Sequence, residues 1–248
     1  MRHKLIVFLL LSVILYAGCS AVYRTQGQYY LNTNQYKAGL AAFEENVRKN
    51  PDDASANYYL GRFYLAQNQP EKGIGYLSRS AQLNSDHADT YFWAGVARSQ
   101  LKQPTRERKN YIKALSLDDQ HLQARTYLAH NQFENGQYKA ALKNYDRVLS
   151  VQPDNPDVLY NRTLILKRQG QKPQEKRALK QYLAFYPSGA FAILAVNRLN
   201  EMGDFEYRNY RIGNRLVTLK AIQFISFGRN LLVQNQPVLI QKQGEDLP

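Results

Sequence analysis

Histidines and paired carboxylates are the residues of this chain whose types could support catalysis or metal binding. His87 and His121 lie 34 residues apart among turn-forming residues, and neither has a Cys or a second His at ligand spacing. Asp52-Asp53 and Asp118-Asp119 are paired carboxylates, but both pairs precede helical segments and suit helix capping. The sequence contains no glycine-rich phosphate loop and no G-x-S-x-G or H-E-x-x-H motif. It therefore predicts no catalytic residue, no metal and no cofactor, and favours a protein that is not an enzyme.

The single cysteine, Cys19, follows a segment typical of a signal peptide: a basic start, an apolar run over residues 5–16 and two small residues. This segment resembles the signal peptide of bacterial lipoproteins, in which cleavage leaves an acylated cysteine at the new N terminus. The resemblance implies that residues 1–18 are removed and that Cys19 is lipidated. Ser20 then points to the periplasmic face of the outer membrane. An ordinary cleaved signal peptide with a chance cysteine is the alternative.

A period of 34 residues organises most of the remaining chain. Turn-forming residues recur at this interval: Pro51, Ser85, Asp119, Pro153 and Pro187. The eighth position of each repeat is small, and the twenty-fourth is bulky and apolar: Phe43, Leu77, Tyr111, Tyr145 and Leu179. The five repeats are 20–53, 54–87, 88–121, 122–155 and 156–189.

These columns resemble the tetratricopeptide repeat family. The resemblance implies an all-α, right-handed solenoid of five helix–turn–helix repeats over residues 19–187. A capping helix is expected over residues 188–204, with Ser188 as its N-cap. The twentieth position of a repeat is usually small, but Glu107 and Glu175 occupy it in the third and fifth repeats. We expect looser helix packing there.

The resemblance also implies a ligand groove lined by the first helix of each repeat, at positions five, nine, twelve and thirteen. The candidate groove residues are Tyr58, Arg62, Phe92, Gln100, His130, Phe133, Tyr160, Lys167 and Arg168. Aromatic surface beside adaptable polar groups suits peptide recognition. A core role is the alternative for several of them.

The formal net charge is +13, and the excess is local. One basic cluster comprises Lys102, Arg106, Arg108, Lys109 and Lys113; the other comprises Arg162, Lys167, Arg168, Lys172, Lys176, Arg177 and Lys180. Such clusters suit acidic proteins or anionic lipid headgroups. The signal segment argues against nucleic acid as a partner. We expect binding to concentrate toward the C-terminal half of the array.

The tail, residues 205–248, changes in pattern. Alternating apolar residues over 217–226 predict strands. The spacing of Ile222, Phe224, Leu231 and Leu239 resembles the opening of an OmpA-type peptidoglycan-binding domain, in which the last of these leucines stands at a helix start. The family's ligand-binding Asp and Arg fall beyond the matching segment. A strand-and-helix element that packs on the end of the repeats is the alternative.

Together these features predict a non-enzymatic, protein-binding scaffold that is anchored to the bacterial envelope by lipid. Its expected role is to assist assembly of an envelope or pilus-type complex by binding a protein or peptide. The alternative is a peptidoglycan-associated lipoprotein adaptor with a truncated OmpA-like domain.

Overall fold

A computed structural model describes residues 21–212, 215–220 and 240–242. The signal segment, Cys19 and the residues of the OmpA resemblance (Ile222, Phe224, Leu231 and Leu239) lie outside these ranges, so the hypotheses about them stay predictions. Among the described helices, none combines the length and the apolar content required to cross a membrane.

Eleven helices in the described ranges form five helix–turn–helix pairs and one additional helix. They are α1 (residues 21–32), α2 (Tyr36–Lys49), α3 (Ala54–Ala66), α4 (Pro70–Leu83), α5 (Ala88–Gln100), α6 (Pro104–Leu117), α7 (Leu122–Glu134), α8 (Tyr138–Leu149), α9 (Pro156–Arg168), α10 (Lys172–Phe185) and α11 (Ala192–Glu201). From α3 to α9, the first helix of each pair begins 34 residues after the one before it. The predicted helical repeat architecture is therefore confirmed.

The turn inside each pair has the same backbone conformation. One residue in each turn adopts a positive φ, between 53° and 72°, and these residues are again 34 apart: Asn34, Asn68, Lys102, Gly136 and Gly170. Asn and Gly tolerate this left-handed region well, whereas Lys rarely adopts it. The turn geometry therefore belongs to the repeat and does not depend on the residue type at one position.

The chain divides into two compact bodies, Met1–Asn131 and Gln132–Pro248. In the N-terminal body the bulky column of the repeat forms the core, since Phe43, Leu77 and Tyr111 are each fully buried. The small column permits this packing. A Cβ at Gly95 would overlap the ring of Tyr111, and one at Gly61 would meet Leu77.

The two glutamates at the small column are buried, and each has polar partners. Glu107 is 8% exposed, and burial raises its pKa even though Asn131 and Ser99 form hydrogen bonds with it. Glu175 is 1% exposed and accepts two hydrogen bonds from the Arg198 guanidinium, Nε–Oε1 2.6 Å and Nη2–Oε2 3.1 Å. At both positions the usual small side chain is replaced by a buried carboxyl group that is hydrogen-bonded to other side chains. The sequence had suggested looser helix packing there.

The capping helix of the C-terminal body is α11. It begins at Ala192, three residues later than a Ser188 cap would give, and it ends before Gly203, whose φ is 73°. Its apolar face, including Val196 and Leu199, packs with Leu183 of α10 in one buried cluster.

The described residues that follow form three short strands: β1 (Tyr207–Ile212), β2 (Arg215–Lys220) and β3 (Ile240–Lys242). They form an antiparallel sheet in the order β2-β1-β3. The predicted strand-containing tail is confirmed. β3 starts directly after Leu239, where the OmpA resemblance implies a helix.

Candidate functional site

The first helices of the first three pairs present a polar and aromatic surface in the N-terminal body, which we call the N-terminal groove. Gln28 and Asn32 come from α1, Arg62 from α3, and Trp93 and Gln100 from α5. Two cavities open on this groove, of about 650 Å³ and about 420 Å³. Both are lined by Gln28, Asn32 and Arg62, so the three side chains stand where the cavities meet.

The larger cavity, which we call the aromatic cavity, is rich in rings and hydrogen-bonding groups. The Tyr58 ring meets the His87 ring edge-on at 4.9 Å, and Arg24 and Arg62 supply positive charge. Burial lowers the pKa of His87, against the attraction of Asp89, so that this imidazole is neutral at pH 7.

One carboxylate, Asp89, lines the aromatic cavity, and it is already bound. Its Oδ1 lies 2.9 Å from His121 Nε2. The His121 hydrogen bond lowers the pKa of Asp89, which keeps the carboxyl ionised. Among the described residues, no cluster of three or more His, Cys, Asp or Glu side chains is arranged to hold a metal.

The smaller cavity, which we call the apolar cavity, has an apolar lining and an amide rim. Leu31, Leu65 and Val96 contribute aliphatic surface, together with the Trp93 ring. The amides are Gln28, Asn32 and Gln100, and none of the described residues that line the cavity is acidic. Aliphatic walls with a few amides can take up a side chain and bind the backbone beside it.

Arg62 is held between two aromatic rings. Its guanidinium carbon lies 4.2 Å from the centroid of the Trp93 ring and 5.6 Å from that of Tyr58. Its Nη1 is 3.4 Å from the Tyr58 hydroxyl, at the outer limit for a hydrogen bond. Such stacking fixes the plane of the guanidinium.

Two of the aromatic candidates, Phe92 and Tyr58, are buried. Phe92 is 2% exposed and packs against Trp93, Tyr111 and His121. Tyr58 is 5% exposed, and burial raises its pKa, so its hydroxyl stays protonated. Their repeat position therefore serves the core at least as much as the surface.

Gln100 and His130, the remaining candidates of the N-terminal body, are exposed. Gln100 lines the apolar cavity, as described above. His130 lines neither of the two cavities of the groove.

Three of the four candidates of the C-terminal body, Phe133, Tyr160 and Arg168, contact other side chains of that body. Tyr160 stacks on Phe191 with ring centroids 4.0 Å apart and planes 2° apart. The Arg168 guanidinium lies 4.5 Å from the ring centroid of Phe133, which is itself 4% exposed. The rings of Tyr160 and Phe133, which the sequence predicted to face a ligand, thus contact side chains of the protein itself.

A cavity of about 230 Å³ lies beside them, lined by Lys167, Tyr160 and Glu201 among others. The basic cluster on α10 is partly neutralised, because Lys176 and Lys180 form ion pairs with Asp204 at 2.8 and 2.7 Å. We expected binding to concentrate in the C-terminal half, but the cavities of the N-terminal body offer more room.

Sequence reasoning missed Gln28, Asn32 and Trp93. The groove residues expected from the sequence all lie in the second to fifth repeats, whereas Gln28 and Asn32 stand one helical turn apart on the first helix of the first repeat. Trp93 follows the core position of Phe92, so the periodic pattern gave it no role.

Comparison with known proteins identifies the repeats. Tetratricopeptide repeat family models match residues 24–88 and residues 129–170. Those stretches carry tetratricopeptide repeats, a class of protein-interaction scaffold. No curated protein matches the chain.

Several solved structures are similar. PilF of Pseudomonas aeruginosa has 13% identity and a TM-score of 0.68, with 89% of this chain and 93% of that chain covered. YrrB, described as a TPR protein with an unusual peptide-binding site, has 17% identity and a TM-score of 0.61, with 71% and 90% covered. MamA has 16% identity and a TM-score of 0.60, with 68% and 93% covered. At these identities the similarity shows the fold alone.

Proposed function

We propose that the protein is a non-enzymatic scaffold that binds a segment of a partner protein in the N-terminal groove. The observation that carries the proposal is the pair of adjoining cavities on the first helices of three successive repeats. Their volumes fall in the range that is typical of ligand pockets, ~300–1,000 Å³.

The lining of the groove suits an extended peptide. The aliphatic walls of the apolar cavity can bury one side chain, at roughly 25 cal/mol per Å² of apolar surface removed from water. The amides of Gln28, Asn32 and Gln100 can donate to carbonyl oxygens and accept from amide N–H groups of a backbone. Because each amide both donates and accepts, the rim binds main chain of any sequence and leaves selectivity to the cavities.

We further propose that this scaffold works at the bacterial envelope, held to the outer membrane by a lipid on Cys19, and that it assists assembly of an envelope or pilus-type complex. The signal-like segment before Cys19 supports the anchor. The name of one structural neighbour, PilF, agrees with a pilus-type role, although that name describes the neighbour. Replacement of Cys19 by Ser should release the protein from the membrane fraction and remove the acyl mass from its N-terminal peptide; retention of both would contradict the anchor.

Site-directed photo-crosslinking in cells tests the binding role. A photoreactive residue at Asn32 or Gln100 in the groove should capture a partner band. The same residue at Lys109, exposed on α6 outside the groove, is the matched control and should not capture it. Equal capture from the groove and from Lys109 would place the interface elsewhere.

A further inference from the structure

Arg62 combines a fixed position with an unpaired charge. Stacking between Trp93 and Tyr58 holds the guanidinium at the junction of the two cavities. Its Nε is buried and has no hydrogen-bond partner among the described residues. No carboxylate in the described ranges lies within ion-pair distance of it.

Four other arginines of the described ranges do form ion pairs, in contrast to Arg62. Arg198 binds the buried Glu175, and Arg162 binds Asp146 at 2.7 Å. Arg62 has an acid in its vicinity, Asp89, but that carboxylate is bound to His121. The described residues thus give Arg62 two aromatic rings and the electrostatic attraction of Asp89, but no direct ion pair.

The apolar cavity strengthens any ionic contact made there. A ligand that fills it displaces water from around Arg62, and attraction between opposite charges grows as the local dielectric constant falls. Within the part of the chain that the structure describes, no acidic side chain of this cavity repels an incoming anion. A planar guanidinium also matches the geometry of a carboxylate.

We propose that Arg62 binds a carboxylate of the bound segment, so that the N-terminal groove selects peptides with an acidic side chain. This inference rests on the proposed function. The aliphatic lining formed by Leu31, Leu65 and Val96 places an apolar side chain beside that acid. The recognised sequence is therefore an Asp or Glu next to an apolar residue.

Selection from a phage-displayed heptapeptide library tests this. The purified wild-type protein should enrich peptides with Asp or Glu adjacent to an apolar residue. Arg62→Gln should retain the apolar preference and lose the acidic one. Arg79→Gln is the matched control, because Arg79 lies on the second helix α4 and forms its ion pair with Asp52 outside the groove. Circular dichroism of each variant verifies that it is folded.

A synthetic peptide from the wild-type selection then gives the magnitude. Changing its acidic residue to the amide should weaken binding to the wild-type protein at least tenfold and leave binding to Arg62→Gln almost unchanged, as a double-mutant cycle requires for a direct contact. Equal acidic enrichment by the wild type and Arg62→Gln would overturn the assignment. A wild-type consensus without an acid would overturn it and leave the proposed function standing, whereas a wild-type protein that enriches no peptide would overturn both.

Discussion

Arg198→Met tests how the C-terminal body is held to its capping helix. Glu175 of α10 is almost fully buried, and its two oxygens accept hydrogen bonds from Nε and Nη2 of Arg198 on α11. Methionine retains much of the apolar stem of arginine but removes the charge. The substitution therefore leaves a buried carboxylate without its counter-ion.

Removal of one partner from a buried ion pair costs about 3–5 kcal/mol. The Arg198 side chain is 25% exposed, so water can reach part of the pair and the lower end of the range applies. We expect the free energy of unfolding to fall by about 3 kcal/mol. For a body of roughly 100 residues this lowers the melting temperature by on the order of 10 °C.

Urea denaturation followed by circular dichroism at pH 7 measures the effect. A free energy of unfolding equal to that of the wild type would refute the reasoning.

Arg48→Met is the matched control. Arg48 forms the same two-pronged contact with Glu45, with both distances at 2.7 Å, but the side chains are 70% and 44% exposed. Water screens such a surface pair, so no measurable change in stability is expected.

Two further predictions concern packing and acid stability. Gly95→Ala should lower the free energy of unfolding by ~1–3 kcal/mol because the new methyl overlaps the buried Tyr111 ring. Gly75 is an exposed residue of α4 with open space around it, so Gly75→Ala should raise the free energy of unfolding by ~0.5–1 kcal/mol. Urea titrations that show the same sign for both variants would count against the packing. Burial opposes ionisation of Asp204, but its ion pairs, including one with Lys176, outweigh this and hold its pKa at about 2, below its unfolded value of ~3.9. The ionised Asp204 carboxylate stabilises the fold at neutral pH, and this stabilisation is lost as the pH falls from about 4 through 2. In Asp204→Asn the melting temperature should therefore fall less steeply with pH in that window than it does in the wild type. The same dependence of melting temperature on pH in both proteins would exclude the ion pairs as the cause.

Much of the fold could be predicted because the repeat constrains each position several times. The 34-residue interval placed the helix starts at Ala54, Ala88, Leu122 and Pro156. Gly95 of the small column and Tyr111 of the bulky column lie against each other in the structure. A single deviation in a column carries less information. Glu175 suggested loose packing, but its partner lies on another helix, and no repeat period connects the two.

The site was harder to predict because a repeat position does not distinguish surface from core. Phe92 and Arg62 occupy groove positions by periodicity, yet Phe92 is buried and Arg62 reaches both cavities. The engagement of Tyr160 depends on Phe191, which stands beyond the last repeat and outside the period. Trp93 acquires its role through its distance to Arg62 on the preceding first helix, a tertiary contact that column positions do not encode.

The central claim is that the N-terminal groove binds a partner segment, and Trp93 provides a direct test. It is the single tryptophan of the chain, it is half-buried, and it lines the apolar cavity. A synthetic peptide covering the crosslinked segment of the partner should change Trp93 fluorescence saturably, at the same concentration that raises the anisotropy of a labelled peptide. Saturable anisotropy with unchanged Trp93 emission would show that the peptide binds outside the groove and would contradict the account.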